Sequence, residues 1–94
     1  MADNANLIYL DYAATTPLAP QVAERMREVQ ANAWFNPSSN HAGGRISAAA
    51  ISHAAGQLAS LLNVDPASLI WTSGATEANN LAIEFNRSHL YIWH

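Results

Sequence analysis

Two stretches of the chain place apolar residues at the three- and four-residue spacing of one helical face. The first stretch predicts a helix over 20–34, and Pro20 suits its first turn. The polar side chains between the apolar ones include two arginines and two glutamates, as expected for a helix with one solvated face. The apolar positions of this helix are Val22, Met26, Val29 and Ala33.

The second stretch is richer in alanine and predicts a longer helix over 43–62. Ser39 or Asn40 is expected to cap its amino end, and Asn63 is expected to stop it. Small residues on its apolar face allow another element to approach closely. That face consists of Ile46, Ala50, Ala54, Leu58, Leu61 and Leu62.

Short apolar runs at 7–10, 69–72 and 89–93 predict strands, because they are brief and rich in β-branched and aromatic residues. Asp65 followed by Pro66 predicts a single helical turn before the second run. A further helix is expected over about 75–85. Helices alternating with strands predict an α/β layer arrangement, and so few strands predict an incomplete sheet.

The stretch TSGATEANNLAI begins where the predicted strand at 69–72 turns directly into a helix. The first N–H groups of a helix have no partner within it, and the helix dipole adds partial positive charge there. Gly74 permits a tight turn, Ala75 keeps the site narrow, and Thr76 adds a hydroxyl donor. These residues predict a phosphate-binding turn, although the same residues also suit a ligand-free turn and cap. The Gly-Lys-Ser/Thr of a P-loop is missing.

The amino-acid composition and the net charge exclude several classes of function. The chain has 94 residues, half of them apolar and 12% charged, with a net charge of −3 and no basic stripe for nucleic acid. It contains no cysteine and no lysine, so a thiolate nucleophile, a sulfur metal site and a lysine Schiff base are excluded within it. Its start has no signal-peptide pattern and no run approaches a membrane span, so we expect a soluble cytoplasmic protein without membrane or nucleic-acid partners.

Other polar residues have ordinary structural roles as their simplest interpretation. The four histidines lack the spacing of a metal site. His41 is expected to be a loop or capping residue that could approach a site, and His53 a surface residue. Asp11 is expected to bond loop backbone rather than to act in catalysis. Trp34 and Phe35 are expected in a core or an interface.

Three motifs occur in the order found in cysteine desulfurases, which are pyridoxal-phosphate enzymes of the class V aminotransferase group. They are IYLDYAATTP at 8–17, NPSSNHAGG at 36–44 and TSGATEANNLAI at 72–83. Together the motifs resemble the amino-terminal part of such an enzyme, from Leu7 to Ile83. The resemblance implies a fold of type I, like that of aspartate aminotransferase, with only its amino-terminal portion in this chain.

The resemblance also implies a function and its partners. Gly74, Ala75 and Thr76 would hold the phosphate of pyridoxal 5′-phosphate, and the loops at 11–17 and 36–41 would lie near the active site or dimer interface. The family transfers sulfur from L-cysteine, leaving L-alanine and an enzyme persulfide, for iron–sulfur cluster assembly or tRNA thiolation. Its members form homodimers and deliver sulfur to acceptor scaffold proteins.

The departures from the family predict a truncated, inactive enzyme with no catalytic residue of its own. The family's cofactor-binding lysine and sulfur-accepting cysteine have no counterpart here. We expect the divergent tail to follow a frameshift or premature stop. A non-enzymatic phosphate- or partner-binding fragment and a selenocysteine lyase are the alternatives. The predicted organisation is one fragment, 1–94, divided into an extended arm and loop (1–19), helices (20–34 and 43–62), a strand–turn–helix (69–86) and a divergent tail (87–94).

Overall fold

The computed structural model describes the backbone of residues 6–90 and the side chains of residues 6–85. Three α-helices cover most of this part of the chain: α1 over Pro20–Asn32, α2 over Ala42–Leu62 and α3 over Ala75–Leu90. A short 3₁₀ turn, Pro66–Ser68, lies between α2 and α3. The chain divides into two compact units, Met1–Ile51 and Ser52–His94, and the division falls within α2.

Helix α1 begins with Pro20 at its first position, as the sequence predicts, and ends two residues earlier than expected. The Ala33 N–H donates to the Val29 carbonyl at 2.8 Å and completes the last turn. Two exposed ion pairs, Arg25–Glu28 at 3.2 Å and Glu24–Arg27 at 2.6 Å, lie along its polar side. Such exposed pairs contribute little to stability.

Helix α2 ends where Asn63 was predicted to stop it. Asn63 has a positive φ of 54°, which turns the chain out of the helix. The Val64 N–H donates to the Ala59 carbonyl at 3.0 Å, and the Asn63 N–H donates to the Ser60 carbonyl at 3.3 Å. These two bonds form a Schellman motif, which satisfies carbonyl groups that the helix leaves free at its end.

The amino-terminal cap of α2 differs from the prediction. His41, rather than Ser39 or Asn40, accepts the cap bond, because its Nδ1 lies 3.1 Å from the Gly44 nitrogen. The His41 carbonyl also accepts the Arg45 N–H at 3.0 Å. The expectation that His41 is a capping residue is therefore confirmed. In the loop before His41, the Asn36 side chain accepts the Ser38 N–H.

The predicted strands are absent from residues 6–90, so the described part of the chain contains no sheet. The runs at 7–10 and 69–72 form no regular secondary structure, since a strand requires a partner for its backbone groups. The third prediction is wrong at His89 and Leu90, which belong to α3, and residues 91–93 lie outside the described part. Helix α3 needs no partner for its hydrogen bonds, so it continues past the predicted end at 85.

Burial is limited to a few small residues among those whose side chains are described. Gly44, Ser47 and Ala59 are buried, and the Ser47 hydroxyl donates to the Ala33 carbonyl at 2.9 Å. Trp34 remains 68% exposed and stacks on Phe35 with ring centroids 4.1 Å apart. Of the two predicted positions for Trp34, the core is therefore wrong, and the interface stays a prediction. The apolar faces predicted for the helices are thus largely uncovered.

Candidate functional site

The turn before α3 is held by hydrogen bonds rather than by packing. The Thr72 hydroxyl donates to the Gly74 carbonyl at 3.1 Å, and the same carbonyl accepts the first helical bond from the Ala78 N–H at 3.1 Å. A Cβ added at Gly74 would meet no atom within 4 Å. The turn therefore has open space beside its backbone, where a ligand could approach.

Ser73 and Glu77 are joined by two hydrogen bonds across this turn. One carboxylate oxygen of Glu77, Oε2, accepts the Ser73 N–H at 2.9 Å and the Ser73 hydroxyl at 2.5 Å. The hydrogen bond from the Ser73 hydroxyl is the larger cause, and that from its N–H the smaller, of a lowered pKa for Glu77. The sequence analysis missed this contact, although an acidic residue in the first turn of a helix is a recognisable signal for it.

Helix α3 leaves donors available at its amino end. Because its first internal bond starts at the Ala78 N–H, the N–H groups of Ala75 and Thr76 have no acceptor within the helix. Neither these groups nor the Thr76 hydroxyl is hydrogen-bonded to another residue of the described part. All three belong to exposed residues. The predicted residues Gly74, Ala75 and Thr76 thus lie together at a helix start, the arrangement that favours an anion.

An open groove lies on the same unit, beside the turn and α3. It has a volume of about 460 Å³ and a mostly apolar lining. Ile70 at 68% exposure and Phe85 at 69% exposure show how little covers it. Its lining residues are Ser68, Ile70, Thr72, Ala78, Leu81, Ala82 and Phe85.

In the loop around Asp11, the backbone of that residue forms the hydrogen bonds, whereas the side chain was predicted to form them. The Asp11 backbone carbonyl accepts the Ala14 N–H at 3.0 Å and the Tyr9 hydroxyl at 2.9 Å. Its carboxylate makes no hydrogen bond to the described residues, so the expected bond from this side chain to loop backbone is not formed. The ring centroids of Tyr9 and Tyr12 lie 5.5 Å apart in the same loop.

The loops at 11–17 and 36–41 belong to the first unit, and the turn at 73–76 belongs to the second. Their predicted place near one active site or dimer interface stays a prediction. His53 is exposed, as expected. The described residues contain no group of three or more side chains suited to a metal ion. None of the helices within them has the length and apolar character needed to cross a membrane.

Comparison with known proteins gives a family match over most of the chain. The sequence model of the family described as Aminotransferase class-V matches residues 8–91. The match runs past Ile83, where the motif resemblance was expected to end, and the divergence of the tail at 87–94 stays a prediction. No solved structure gives a significant match.

Curated relatives agree with the family match. The chain is 51% identical over 78 residues to the cysteine desulfurase IscS of Dechloromonas aromatica, covering 82% of this chain and 19% of the relative. It is 49% identical over 87 residues to the protein of the same name from Stutzerimonas stutzeri, covering 89% and 21%. Identity to the selenocysteine lyase of Bos taurus is 44% over 87 residues, covering 93% and 20%. The chain spans about a fifth of the length of these relatives.

Proposed function

The chain belongs to the class-V aminotransferase family, and from this premise we propose that it carries the phosphate-binding turn of a cysteine desulfurase. Membership implies the type I fold of that family, to which this chain would contribute an amino-terminal portion of the α/β architecture. In this proposal Gly74, Ala75 and Thr76 hold the phosphate of pyridoxal 5′-phosphate. The cytoplasmic location predicted from the sequence is part of the same proposal.

The observation that carries the proposal is the set of free donors at the start of α3. The N–H groups of Ala75 and Thr76 and the Thr76 hydroxyl have no acceptor in the described part of the chain. Gly74 leaves space for a ligand to reach them. This donor set fits a phosphate group, which gains hydrogen bonds and a favourable interaction with the helix dipole.

The rest of the cofactor needs groups that this sequence does not contain. When bound, pyridoxal phosphate acts as an electron sink that stabilises negative charge on the substrate carbon. Covalent attachment of that cofactor requires a lysine, and formation of a persulfide requires a cysteine, but the 94 residues contain neither. We therefore expect the chain alone to bind the phosphate end without releasing sulfur from L-cysteine. Homodimer formation and sulfur transfer to an acceptor scaffold protein belong to the proposed whole protein.

A titration followed by nuclear magnetic resonance tests the phosphate-binding role. The chain is titrated with pyridoxal phosphate and, separately, with inorganic phosphate, and the backbone amide signals are recorded. We expect both ligands to shift the Ala75 and Thr76 signals. Thr76→Val removes the hydroxyl while keeping the side-chain shape, so it should weaken binding several-fold, as loss of a hydrogen bond to a charged group does. Thr16→Val makes the same change in the other unit and is the matched control.

The result also separates cofactor binding from general phosphate binding. Tighter binding of pyridoxal phosphate, with additional shifts along α3, supports the cofactor role. Equal affinity for the two ligands supports the non-enzymatic phosphate-binding alternative. If neither ligand moves Ala75 and Thr76, the proposed function is wrong.

Selenocysteine lyase is the second candidate, because the bovine relative carries that name and matches 93% of this chain. The two activities differ in the element that is released. Incubation of the cofactor-treated chain with L-cysteine and with L-selenocysteine, followed by measurement of sulfide and selenide, compares them directly. We expect neither product. Selenide alone would favour the lyase, and sulfide release would refute the inactivity of the isolated chain.

A further inference from the structure

The contact between Glu77 and Ser73 surrounds the three residues to which phosphate binding is assigned. The carboxylate of Glu77 reaches back over Thr76, Ala75 and Gly74 to accept both donors of Ser73. We propose that Glu77 is a positioning residue of the phosphate-binding turn, which it holds in the conformation that presents the Ala75 and Thr76 N–H groups. This inference rests on the function proposed above and extends it to a residue that does not itself touch the ligand.

The need for such a residue follows from the lack of packing around the turn. Residues Ser73, Gly74 and Ala75 are all exposed, and a Cβ at Gly74 would contact nothing. Glycine also adopts more backbone conformations than other residues, so the turn is not restricted by its own sequence. Hydrogen bonds to an ionised carboxylate are about twice as strong as those between neutral groups. Among the hydrogen bonds of this turn, those of Glu77 are the only ones of that kind within the described residues.

The contact also determines which donors remain for a ligand. The N–H and the hydroxyl of Ser73 both donate to Glu77 Oε2, so Ser73 is not expected to bind phosphate. The lowered pKa of Glu77 agrees with this arrangement, since the Ser73 hydroxyl and N–H both favour the charged carboxylate. Ser73 is thereby excluded from phosphate recognition, which is left to the free N–H groups at the start of α3, those of Ala75 and Thr76 among them, and to the helix dipole.

Two effects of Glu77 on an anion have opposite signs, and this makes the proposal testable. Its negative charge repels phosphate, but Glu77 is exposed and water and salt weaken that repulsion. Its hydrogen bonds hold the turn in the binding conformation, and this effect is not reduced by salt to the same extent. We therefore expect removal of the side chain to weaken phosphate binding, whereas a purely electrostatic role predicts stronger binding.

The experiment compares three variants of the full chain by amide-resolved titration with inorganic phosphate. Glu77→Ala removes both acceptors and should weaken binding about fivefold, the change expected from loss of one capping side chain. Glu77→Gln retains a neutral acceptor of the same length and should restore part of the affinity. Glu84→Gln, two turns further along α3, removes the same charge and serves as the matched control, with affinity close to that of the wild type.

A second readout follows the contact without any ligand. In the wild type the Ser73 amide signal should titrate with acid at the lowered pKa of Glu77, and this titration should disappear in Glu77→Gln. Unchanged or tighter phosphate binding in Glu77→Ala overturns the positioning role. If phosphate does not shift the Ala75 and Thr76 amide signals in the wild type, the proposed function is wrong, and the positioning role is wrong with it. If the Ser73 amide still titrates with acid in that case, the contact with Glu77 exists and the phosphate assignment is the incorrect step.

Discussion

Gly44 lies at the start of α2, where the preceding loop approaches the helix closely. A Cβ added there would lie 2.0 Å from the Ser39 carbonyl oxygen and 3.0 Å from the Asn36 carbonyl oxygen. Gly44 has no positive φ, so the backbone conformation itself is open to alanine. The prediction that Gly44→Ala destabilises the chain therefore tests close packing alone.

The magnitude follows from two opposing contributions. Alanine is favoured over glycine inside a helix by about 1 kcal/mol. Forcing a methyl group into a filled site costs about 1–3 kcal/mol. The upper part of that range applies, because the colliding atoms belong to the backbone and the Ser39 N–H is bonded to the Asn36 carbonyl at 3.1 Å. We expect a net loss of about 2 kcal/mol in the free energy of unfolding.

Gly56 provides a matched control in the same helix. A Cβ at Gly56 would meet nothing within 4 Å, so Gly56→Ala should stabilise the chain by about 0.5–1 kcal/mol. Urea unfolding followed by far-ultraviolet circular dichroism measures both variants, and tryptophan fluorescence checks that one transition is observed. A Gly44→Ala variant as stable as the wild type would refute the close approach of the loop to α2.

Three further predictions concern single side chains. Ser47→Ala removes a buried hydroxyl that bonds a backbone carbonyl and should lower the free energy of unfolding by about 1–2 kcal/mol in urea, whereas the same change at exposed Ser52 should have no such cost. Asp65→Ala removes the side-chain cap of the 3₁₀ turn and should cost about 1 kcal/mol, and a cost below the error of thermal unfolding would contradict that cap. Because the folded-state pKa of Glu77 is lowered, its contact with Ser73 stabilises the fold above the unfolded-state pKa, and this stability is lost as the pH falls through the folded-state value. Circular dichroism between neutral and acidic pH should show the loss in the wild type but a smaller one in Ser73→Ala.

The helices were predictable from the sequence because their signals are local. Pro20 and the apolar spacing predicted a helix over 20–34, two residues longer than α1, and Asn63 marked the end of α2. Each of these signals acts within one or two turns of the residue that carries it. The cap of α2 was predicted at Ser39 or Asn40, and His41, predicted as a loop or capping residue, forms it instead, because a histidine acceptor is a less common cap than serine or asparagine.

The strands were not correctly predicted, and the reason is physical. Residues 7–10 and 69–72 have the composition of strands, but composition does not supply the second strand that each would need. Pairing depends on residues distant in sequence, and the described part of the chain forms no such pair. The same composition at His89 and Leu90 was overridden by the continuation of α3, whose hydrogen bonds are satisfied within the helix.

The candidate site divides in the same way into local and non-local parts. The donors of Ala75 and Thr76 arise from the start of a single helix, so this chain can form them whatever else surrounds it. The contact between Glu77 and Ser73 is equally local, since Ser73 lies two residues before α3 and only four positions from Glu77. The activity proposed for the whole protein also needs a lysine and a cysteine, and the 94 residues contain neither in any conformation. The proposed phosphate binding can therefore be tested on this chain by substitution of its own residues, separately from the sulfur transfer proposed for the whole protein.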